Sequence, residues 1–176
     1  MIRWILFDQA KVQTYNMFSR KEFYSIGSRK FSARKLELVF DLPEYNEFSL
    51  GKITEDELVS KFLDKYDLDL SIDEFIILLK EAIEPIEGMK ELLEQLSKKY
   101  ELATLINEGS EWANYKLEVP NFKQFFKVNI ISGEIGLEKP AKEFYLKALE
   151  ILNAKPEECI FIDDKKEIAM QLKMLE

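Results

Sequence analysis

A short apolar run followed by two carboxylates, Ile160 to Asp164 in the sequence IFIDD, constrains the fold of this chain more than any other stretch. Consecutive apolar residues that are β-branched or aromatic predict a strand buried on both faces, as in a parallel sheet. In an open α/β sheet, ligands bind at the carboxyl ends of the strands. Asp163 and Asp164 therefore mark a candidate site, and because they repel each other we expect a cation beside them.

A second run of the same kind opens the chain, where Ile2 to Phe7 precedes Asp8 directly. If the two strands are neighbours in one parallel sheet, Asp8, Asp163 and Asp164 converge at one edge. Any one of these residues alone is more typical of a helix cap or a turn, but the three together favour a site. Hard oxygen ligands in that number suit Mg²⁺, so the sequence predicts a magnesium site.

Composition excludes several classes of function. The chain of 176 residues suits one substantial core with a small insertion. It contains no apolar run of about 18 residues and no secretory signal, so we expect no membrane partner. The single cysteine, Cys159, precludes an internal disulfide and is typical of a cytoplasmic protein. A net charge of −8 argues against nucleic-acid binding, which needs a cationic surface.

The absence of histidine restricts the chemistry further. It excludes Ser-His-Asp triads, Cys-His dyads and histidine-rich zinc sites. Acid–base catalysis must therefore depend on carboxylates, lysine or tyrosine.

Residues 15–84 predict a block of helices without a clear strand. Thr54 and Ser71 each begin a capping box, completed by Glu57 and Glu74 three residues later. Apolar residues at helical spacing follow both caps. Because strands resume after this block, it interrupts an α/β pattern and predicts an inserted helical unit.

The segment Met17 to Lys35 combines aromatic residues with six cations, which are Arg20, Lys21, Arg29, Lys30, Arg34 and Lys35. One interpretation is a helical segment with a solvated basic face, and another is a surface on which nucleic-acid bases stack. We favour the first interpretation. We also hypothesise that part of this basic segment faces the site and concentrates anionic substrates there.

Two further strands are predicted by ELATLIN, which ends in Asn107, and by FFKVNIIS, whose following loop contains Lys139. A helix begins near Pro140, and a final helical stretch is predicted from Glu167 to Leu175. The polar residues after the strands suit phosphoryl transfer without histidine. A carboxylate, Asp8, attacks phosphorus only if a lysine and a metal neutralise the charge of the phosphate.

These motifs resemble those of the haloacid dehalogenase (HAD) superfamily over essentially the whole chain, and most of all its phosphatase-like branch. ILFD is similar to the nucleophile motif, LATLIN to the second motif, SGEIGLEKP to the third and FIDD to the fourth. The third and fourth motifs are specific signals at this separation in sequence, whereas FD alone would be weak evidence for the family.

The resemblance implies an α/β fold with a HAD-type doubly wound parallel sheet core, formed by residues 1–14 and 85–176. It implies an all-helical C1-type cap over the site at residues 15–84. It also implies Mg²⁺ and a covalent aspartyl intermediate in a hydrolase that acts on a small phosphorylated substrate. The implied site residues are Asp8 and Lys139 for catalysis, Asn107 and Lys139 for phosphate binding, and Asp8, the Ala10 carbonyl, Asp163 and Asp164 for the metal.

Four positions depart from the family pattern. Ala10 stands where the phosphatases place a second Asp as general acid and base, and Ile106 where a Ser or Thr binds phosphate. Lys165 and Ile168 replace a small polar residue and an Asn after the acidic pair. Three functions stay open from sequence: a slow Mg²⁺-dependent phosphatase, a catalytically silent binding protein, and a metal-free dehalogenase. The substrate and the oligomeric state stay open as well.

Overall fold

The computed structural model describes residues 1–169, and strands alternate with helical segments from Glu101 onward. In chain order the strands are β1 (Trp4–Phe7), β2 (Phe23–Ile26), β3 (Arg29–Ser32), β4 (Glu101–Ile106), β5 (Val128–Ile131) and β6 (Cys159–Ile162). The helices are α1 (Ala33–Glu37), α2 (Pro43–Ser49), α3 (Glu55–Lys65), α4 (Ile72–Glu81), α5 (Met89–Ser97), α6 (Ser110–Glu118), α7 (Ser132–Ile135), α8 (Lys142–Leu152) and α9 (Lys166–Ala169). The predicted final helix begins within α9, and the rest of that prediction lies outside the described residues.

Four parallel strands form the central sheet in the order β5-β4-β1-β6, which confirms the predicted α/β architecture. Leu6 of β1 lies opposite Ala103 of β4 on one side and Phe161 of β6 on the other. This register brings the carboxyl ends of the strands to one edge. The chain runs outward from β1 to β5 and then crosses to β6, so the strand order reverses beside β1. Ligands of doubly wound sheets bind at such a reversal.

Helices cover both faces of the sheet because successive strand residues point to opposite sides. Ile5 packs into an apolar cluster with Leu93 of α5 and Leu117 of α6. Leu6 points the other way, into a cluster with Phe144 of α8. Two apolar layers therefore hold β1 in place, and they fix the position of the residue that follows it.

One strand differs from its prediction. Ile160 and Ile162 are 44% and 37% exposed, whereas Cys159 and Phe161 are buried. The strand is therefore not buried on both faces. The reason is its position, because β6 lies at the edge of the sheet and helices of the described residues cover only the face that carries Phe161.

The inserted segment contains the predicted capped helices. Thr54 and Ser71 begin α3 and α4, and both capping boxes are complete. In each box the hydroxyl accepts from the backbone N–H of a glutamate, whose carboxylate accepts from the backbone N–H of the cap residue. These caps satisfy backbone donors that the first helical turn leaves free.

The prediction of helix throughout residues 15–84 is wrong at the basic segment, where β2 and β3 form an antiparallel hairpin. Gly27 adopts a left-handed φ of 59° at the turn, a conformation that glycine reaches without strain. Tyr24 is 1% exposed between two exposed neighbours, which is the alternation of a strand. Two β-rich runs separated by Gly27 and Ser28 carry this signal in the sequence.

An apolar cluster of its own fills the inserted segment, with Phe62, Phe75 and Leu78 each fully buried. Trp112 of α6 also belongs to this cluster and Tyr115 of α6 packs against it, so side chains of α6 join the inserted segment to the sheet unit. The division into a core of residues 1–14 and 85–176 and a cap of residues 15–84 stays a prediction. No helix of the described part has the length and hydrophobicity needed to cross a membrane.

Polar contacts also join the inserted segment to α6. The carboxylate of Glu55 accepts from Trp112 Nε1 at 2.7 Å and from the Tyr115 hydroxyl at 3.1 Å. Gly109, which precedes α6, leaves room for the ring of Phe48, because a Cβ there would lie 2.1 Å from it. The interface is thus closely packed and contains a buried carboxylate.

This carboxylate predicts a pH-dependent stability. Burial raises the pKa of Glu55 above its ordinary value of 4.5, although the hydrogen bonds from Tyr115 and Trp112 oppose the shift. The folded protein thus holds the proton more tightly, and the contribution of Glu55 to the free energy of unfolding falls as pH rises through the raised pKa. As pH rises from about 4 to about 7, the free energy of unfolding of Glu55→Gln should increase relative to that of the parent, as urea titrations measure.

Glu57 of the same helix is the matched control. Its capping hydrogen bonds with Thr54 lower its pKa, so it stabilises the fold at higher pH and loses that contribution on acidification. Glu57→Gln should therefore be less stable than the parent above about pH 4.5, by a difference that changes little up to about pH 7 and shrinks on further acidification. Equal pH slopes for the two variants would contradict the assignment of Glu55.

Candidate active site

The candidate site is a cavity of about 260 Å³ at the carboxyl edge of the sheet. Asp8 directly follows β1, Asn107 follows β4, and Asp163 and Asp164 follow β6. Lys139 reaches the same cavity from the loop between α7 and α8. The structure therefore brings the predicted side chains together at the edge where parallel strands end.

Lys139 forms the centre of this group. Its ammonium nitrogen lies 2.7 Å from Oδ1 of Asp8 and 3.0 Å from Oδ2 of Asp163. Only 3% of the Lys139 side chain is exposed. Because a buried ammonium is strongly disfavoured without compensating charge, the two carboxylates are a condition for its position.

Asn107 fixes the backbone of the Lys139 loop. Its amide nitrogen donates to the Lys139 carbonyl at 2.7 Å, and its amide oxygen accepts from the Lys139 N–H at 2.9 Å. This paired contact orients the loop so that the lysine points to the sheet. The predicted phosphate contact of Asn107 stays a prediction, because these two hydrogen bonds go to the loop rather than into the cavity.

The environment of Asp8 combines burial with a close cation. Burial raises the pKa of the Asp8 carboxyl above its ordinary value, and the neighbouring Lys139 ammonium opposes that shift. Asp163 adds a smaller upward contribution through like-charge repulsion. Oδ1 of Asp8 accepts from Lys139, which leaves Oδ2 for another partner.

The three carboxylates fit a divalent cation. One oxygen from each of Asp8, Asp163 and Asp164 lies within 4.8 Å of the others. Oxygens on an octahedral Mg²⁺ with bonds of about 2.1 Å are at most roughly 4.2 Å apart, so small rotations would suffice. Ala10 lines the same cavity and offers its backbone carbonyl. Both oxygens of Asp163 already accept, from Lys139 and from the backbone N–H of Lys165, which favours contact with the metal through water.

Three further lysines, Lys11, Lys116 and Lys165, line the cavity, and none of them was assigned a role in the site from the sequence. Lys11 has a left-handed φ of 60°, and its ammonium lies 3.7 Å from Oδ2 of Asp164. Lys116 of α6 lies 2.6 Å from Glu108 in a buried ion pair. The position of Lys11 shortly after β1 is a signal that the sequence could have offered. Nothing in the sequence marks Lys116, which is one of several cations on amphipathic helices.

Apolar residues occupy the positions where the family pattern is polar. Ala10, Ile106 and Ile168 all line the cavity. Ile106 is 2% exposed and belongs to the apolar cluster on one face of the sheet. Among the residues described, these three positions offer no side-chain acid or hydrogen-bond donor to a substrate.

A second cavity of about 330 Å³ adjoins the first beneath the inserted segment. Of the six cations of the basic segment, Arg34 lines this second cavity. Arg20, Lys21 and Arg29 instead pair with carboxylates of the inserted segment and its junction. The hypothesis that the basic segment concentrates substrate therefore stays a prediction and rests on Arg34.

Comparison with known proteins identifies the family. A model of the haloacid dehalogenase-like hydrolases matches residues 23–170, which include Lys139, Asp163 and Asp164. The chain belongs to the haloacid dehalogenase-like hydrolases. This membership confirms the resemblance predicted from the four motifs.

Curated relatives are hydrolases of phosphate compounds by name. Flavin mononucleotide hydrolase 1 of Arabidopsis thaliana is 33% identical over 125 residues, covering 68% of this chain and 48% of the relative. Pyrophosphatase PpaX of Bacillus mycoides is 31% identical over 85 residues, covering 48% of this chain and 40% of the relative. The chain thus spans half or less of the length of these relatives.

Solved structures share the fold. A HAD family enzyme, bt-2542 of Bacteroides thetaiotaomicron, superposes with a TM-score of 0.77 at 16% identity, over 99% of this chain and 91% of that one. That enzyme was crystallised as a variant with magnesium and inorganic phosphate. The likeness extends over both the sheet and the inserted segment of this chain.

The lysine near Asp164 generates a prediction about the metal. Lys11 and a bound Mg²⁺ would compete for the same carboxylate, so removing the ammonium should strengthen metal binding. We expect Lys11→Met to lower the dissociation constant for Mg²⁺ by roughly two- to fivefold at low salt, the range of an exposed ion pair. Isothermal titration calorimetry with magnesium chloride measures this change.

Lys142→Met is the control, because Lys142 is exposed at the start of α8 and lies outside the cavity. Its affinity for Mg²⁺ should match that of the parent. Asp164→Asn should weaken the binding in either background. Weaker Mg²⁺ binding by Lys11→Met would contradict the competition.

Proposed function

We propose that this protein is a Mg²⁺-dependent phosphatase for a small phosphorylated metabolite, with an aspartyl-phosphate intermediate on Asp8. The main support is the position of the Lys139 ammonium, which lies between Asp8 and Asp163 in a cavity that Asp164 also lines. A carboxylate beside a buried ammonium is able to approach a phosphate dianion, because the cation offsets the repulsion between them.

Each residue has a proposed role in this reaction. Asp8 attacks phosphorus through Oδ2, since its Oδ1 is engaged by Lys139. Lys139 donates to the carboxylate and stabilises the charge that develops on the transferred group. Asp8, the Ala10 carbonyl and Asp164, with Asp163 directly or through water, would hold Mg²⁺, which would supply positive charge for the phosphoryl oxygens. Water then hydrolyses the acyl phosphate and restores Asp8.

The missing acid sets the expected speed. With Ala10 in place of a general acid, the alcohol leaves without a positioned proton donor, which lowers the rate by roughly 10²- to 10⁴-fold. Ile106 leaves the phosphate one donor short. We therefore infer a slow enzyme that favours esters with good leaving groups.

Similar proteins support the substrate class. The curated relatives are named a flavin mononucleotide hydrolase, a pyrophosphatase and an N-acylneuraminate-9-phosphatase, which all point to phosphorylated small molecules. Because the chain spans half or less of these relatives, their particular substrates are not transferred to it. A cytoplasmic location and the lack of nucleic-acid partners stay predictions that rest on composition.

A binding role is the second candidate. The apolar side chains of Ala10 and Ile106 at the cavity favour it, because they remove an acid and a phosphate donor while Lys139 keeps its carboxylate partners. The metal-free dehalogenase is less favoured, since the pair Asp163 and Asp164 has little purpose without a metal.

Restoring the missing groups separates the first two candidates. Ala10→Asp would put a carboxyl group beside the leaving oxygen, and Ile106→Ser would add a donor to the phosphate. If the remaining groups are arranged for attack, the double variant should hydrolyse para-nitrophenyl phosphate faster than the parent by at least about tenfold. Steady-state release of nitrophenol in the presence of Mg²⁺ measures the rate.

Asp8→Asn in the same double variant is the control, because an amide cannot form the acyl phosphate. It should abolish the gain. Circular dichroism must show that each variant is folded, since Ile106 belongs to the apolar core. A folded, Mg²⁺-binding double variant with no turnover above the Asp8→Asn control would reject the phosphatase in favour of the binding role.

A further inference from the structure

A buried ion pair lies beside the candidate site and has no part in the reaction proposed above. The ammonium of Lys116 lies 2.6 Å from Oε2 of Glu108, and the two side chains are only 8% and 2% exposed. Burying two charges carries a desolvation penalty that an apolar pair would avoid. The burial of this ion pair beside the site therefore favours a role other than stabilising the fold.

Glu108 is held rigidly and anchors the lysine. Its Oε1 accepts from the Tyr45 hydroxyl at 2.9 Å and from the Gly109 N–H at 3.1 Å, and its own N–H donates to Ser132 at 2.9 Å. Burial holds the pKa of Tyr45 well above its ordinary value, so that its hydroxyl stays a donor. Glu108, and through it Lys116, is thus fixed by groups from α2 and α7 and by the residue that precedes α6.

The position of Lys116 is the second observation. It lines both the cavity that contains Asp8 and the adjoining cavity beneath the inserted segment. Ala10 and Asn16 are the other residues that the two cavities share. Lys116 therefore lies at the junction, where the part of an ester just beyond the phosphoryl group would pass from one cavity to the other.

The lysine has hydrogen-bonding capacity left. Within the described residues, Glu108 is its one hydrogen-bond partner, which leaves two of its three N–H groups for a ligand. Asn16 adds an exposed side-chain amide at the same junction. A buried donor that a ligand does not satisfy is costly, so the junction discriminates against esters that are apolar at this point.

We propose that Lys116 is a specificity-determining residue that donates to a hydroxyl oxygen on the leaving group, which defines the substrate class as polyol-like phosphate monoesters. Because Glu108 cancels its charge, the lysine offers donors without a net positive charge, and this favours a neutral hydroxyl over a second anionic group. The inference rests on the proposed phosphatase site, and measuring ester binding apart from turnover distinguishes a failure of this inference from a failure of the proposed activity.

Two esters with the same three-carbon chain form the test, namely glycerol 3-phosphate and propyl phosphate. Their dissociation constants are measured by calorimetry with Mg²⁺ in the Asp8→Asn protein, which binds ester without forming the intermediate. We expect glycerol 3-phosphate to bind about tenfold or more tightly than propyl phosphate, as hydrogen bonds to a charged group provide. Lys116→Met should reduce this ratio to within about twofold of unity.

Two further variants keep the result interpretable. Lys116→Met leaves Glu108 buried without its partner, so the pair Lys116→Met with Glu108→Gln removes both charges and should give the same ratio. Lys98→Met is the matched control, because Lys98 also pairs with a glutamate but is exposed and lies outside both cavities. It should retain the parental ratio.

The outcomes distinguish this inference from the proposed reaction. A ratio near unity in the Asp8→Asn parent, or a ratio that Lys116→Met leaves unchanged, overturns the inference even if the protein hydrolyses phosphate esters. If Lys116→Met weakens the binding of both esters by the same factor, the inference is also overturned, because the loss of a merely structural lysine would have that effect. Discrimination that depends on Lys116 in a protein without turnover supports the inference and counts against the phosphatase alone.

Discussion

The contact of the Lys139 ammonium with Asp8 and Asp163 joins three parts of the chain that are far apart in sequence. One carboxylate ends the first strand, the other ends the last described strand, and the lysine comes from a loop that Asn107 holds by its backbone. Because the ammonium is buried, none of these three segments could move away without leaving a charge uncompensated. The geometry of the site is therefore a consequence of charge pairing as much as of the sheet.

The balance of charge around this contact distinguishes the chain from the pattern it resembles. Ala10 replaces an acidic residue, and the cation Lys165 replaces a small polar residue, and both of them line the cavity. Each change makes the cavity less negative before any metal binds. A less negative cavity attracts an anionic ester more readily and a divalent cation less readily. In the proposed phosphatase, the affinity for an ester and the rate of its hydrolysis are therefore separate properties, and the affinity could persist after the rate declines.

Much of the sheet and of the site could be predicted from sequence, because their signals are local. Apolar runs that end in Asp8, Asn107 and Asp163 predict strands and place their polar ends at one edge. The hairpin at Gly27 was predicted as helix, since its alternating pattern spans only four residues on each side. The exposed face of β6 could not be foreseen, because strand order decides it. Lys116 could not be assigned either, since only packing brings α6 to the junction of the two cavities.

The two tryptophans of the chain, Trp4 and Trp112, lie in different apolar clusters. Trp4 is buried in the sheet unit, whereas the Trp112 indole is buried among rings of the inserted segment and donates to Glu55. Indole emission shifts in wavelength when its surroundings become wet. Separation of the two units would therefore change the fluorescence of Trp112 and leave that of Trp4 as an internal reference. The fold therefore contains an optical reporter of the contact between the inserted segment and α6.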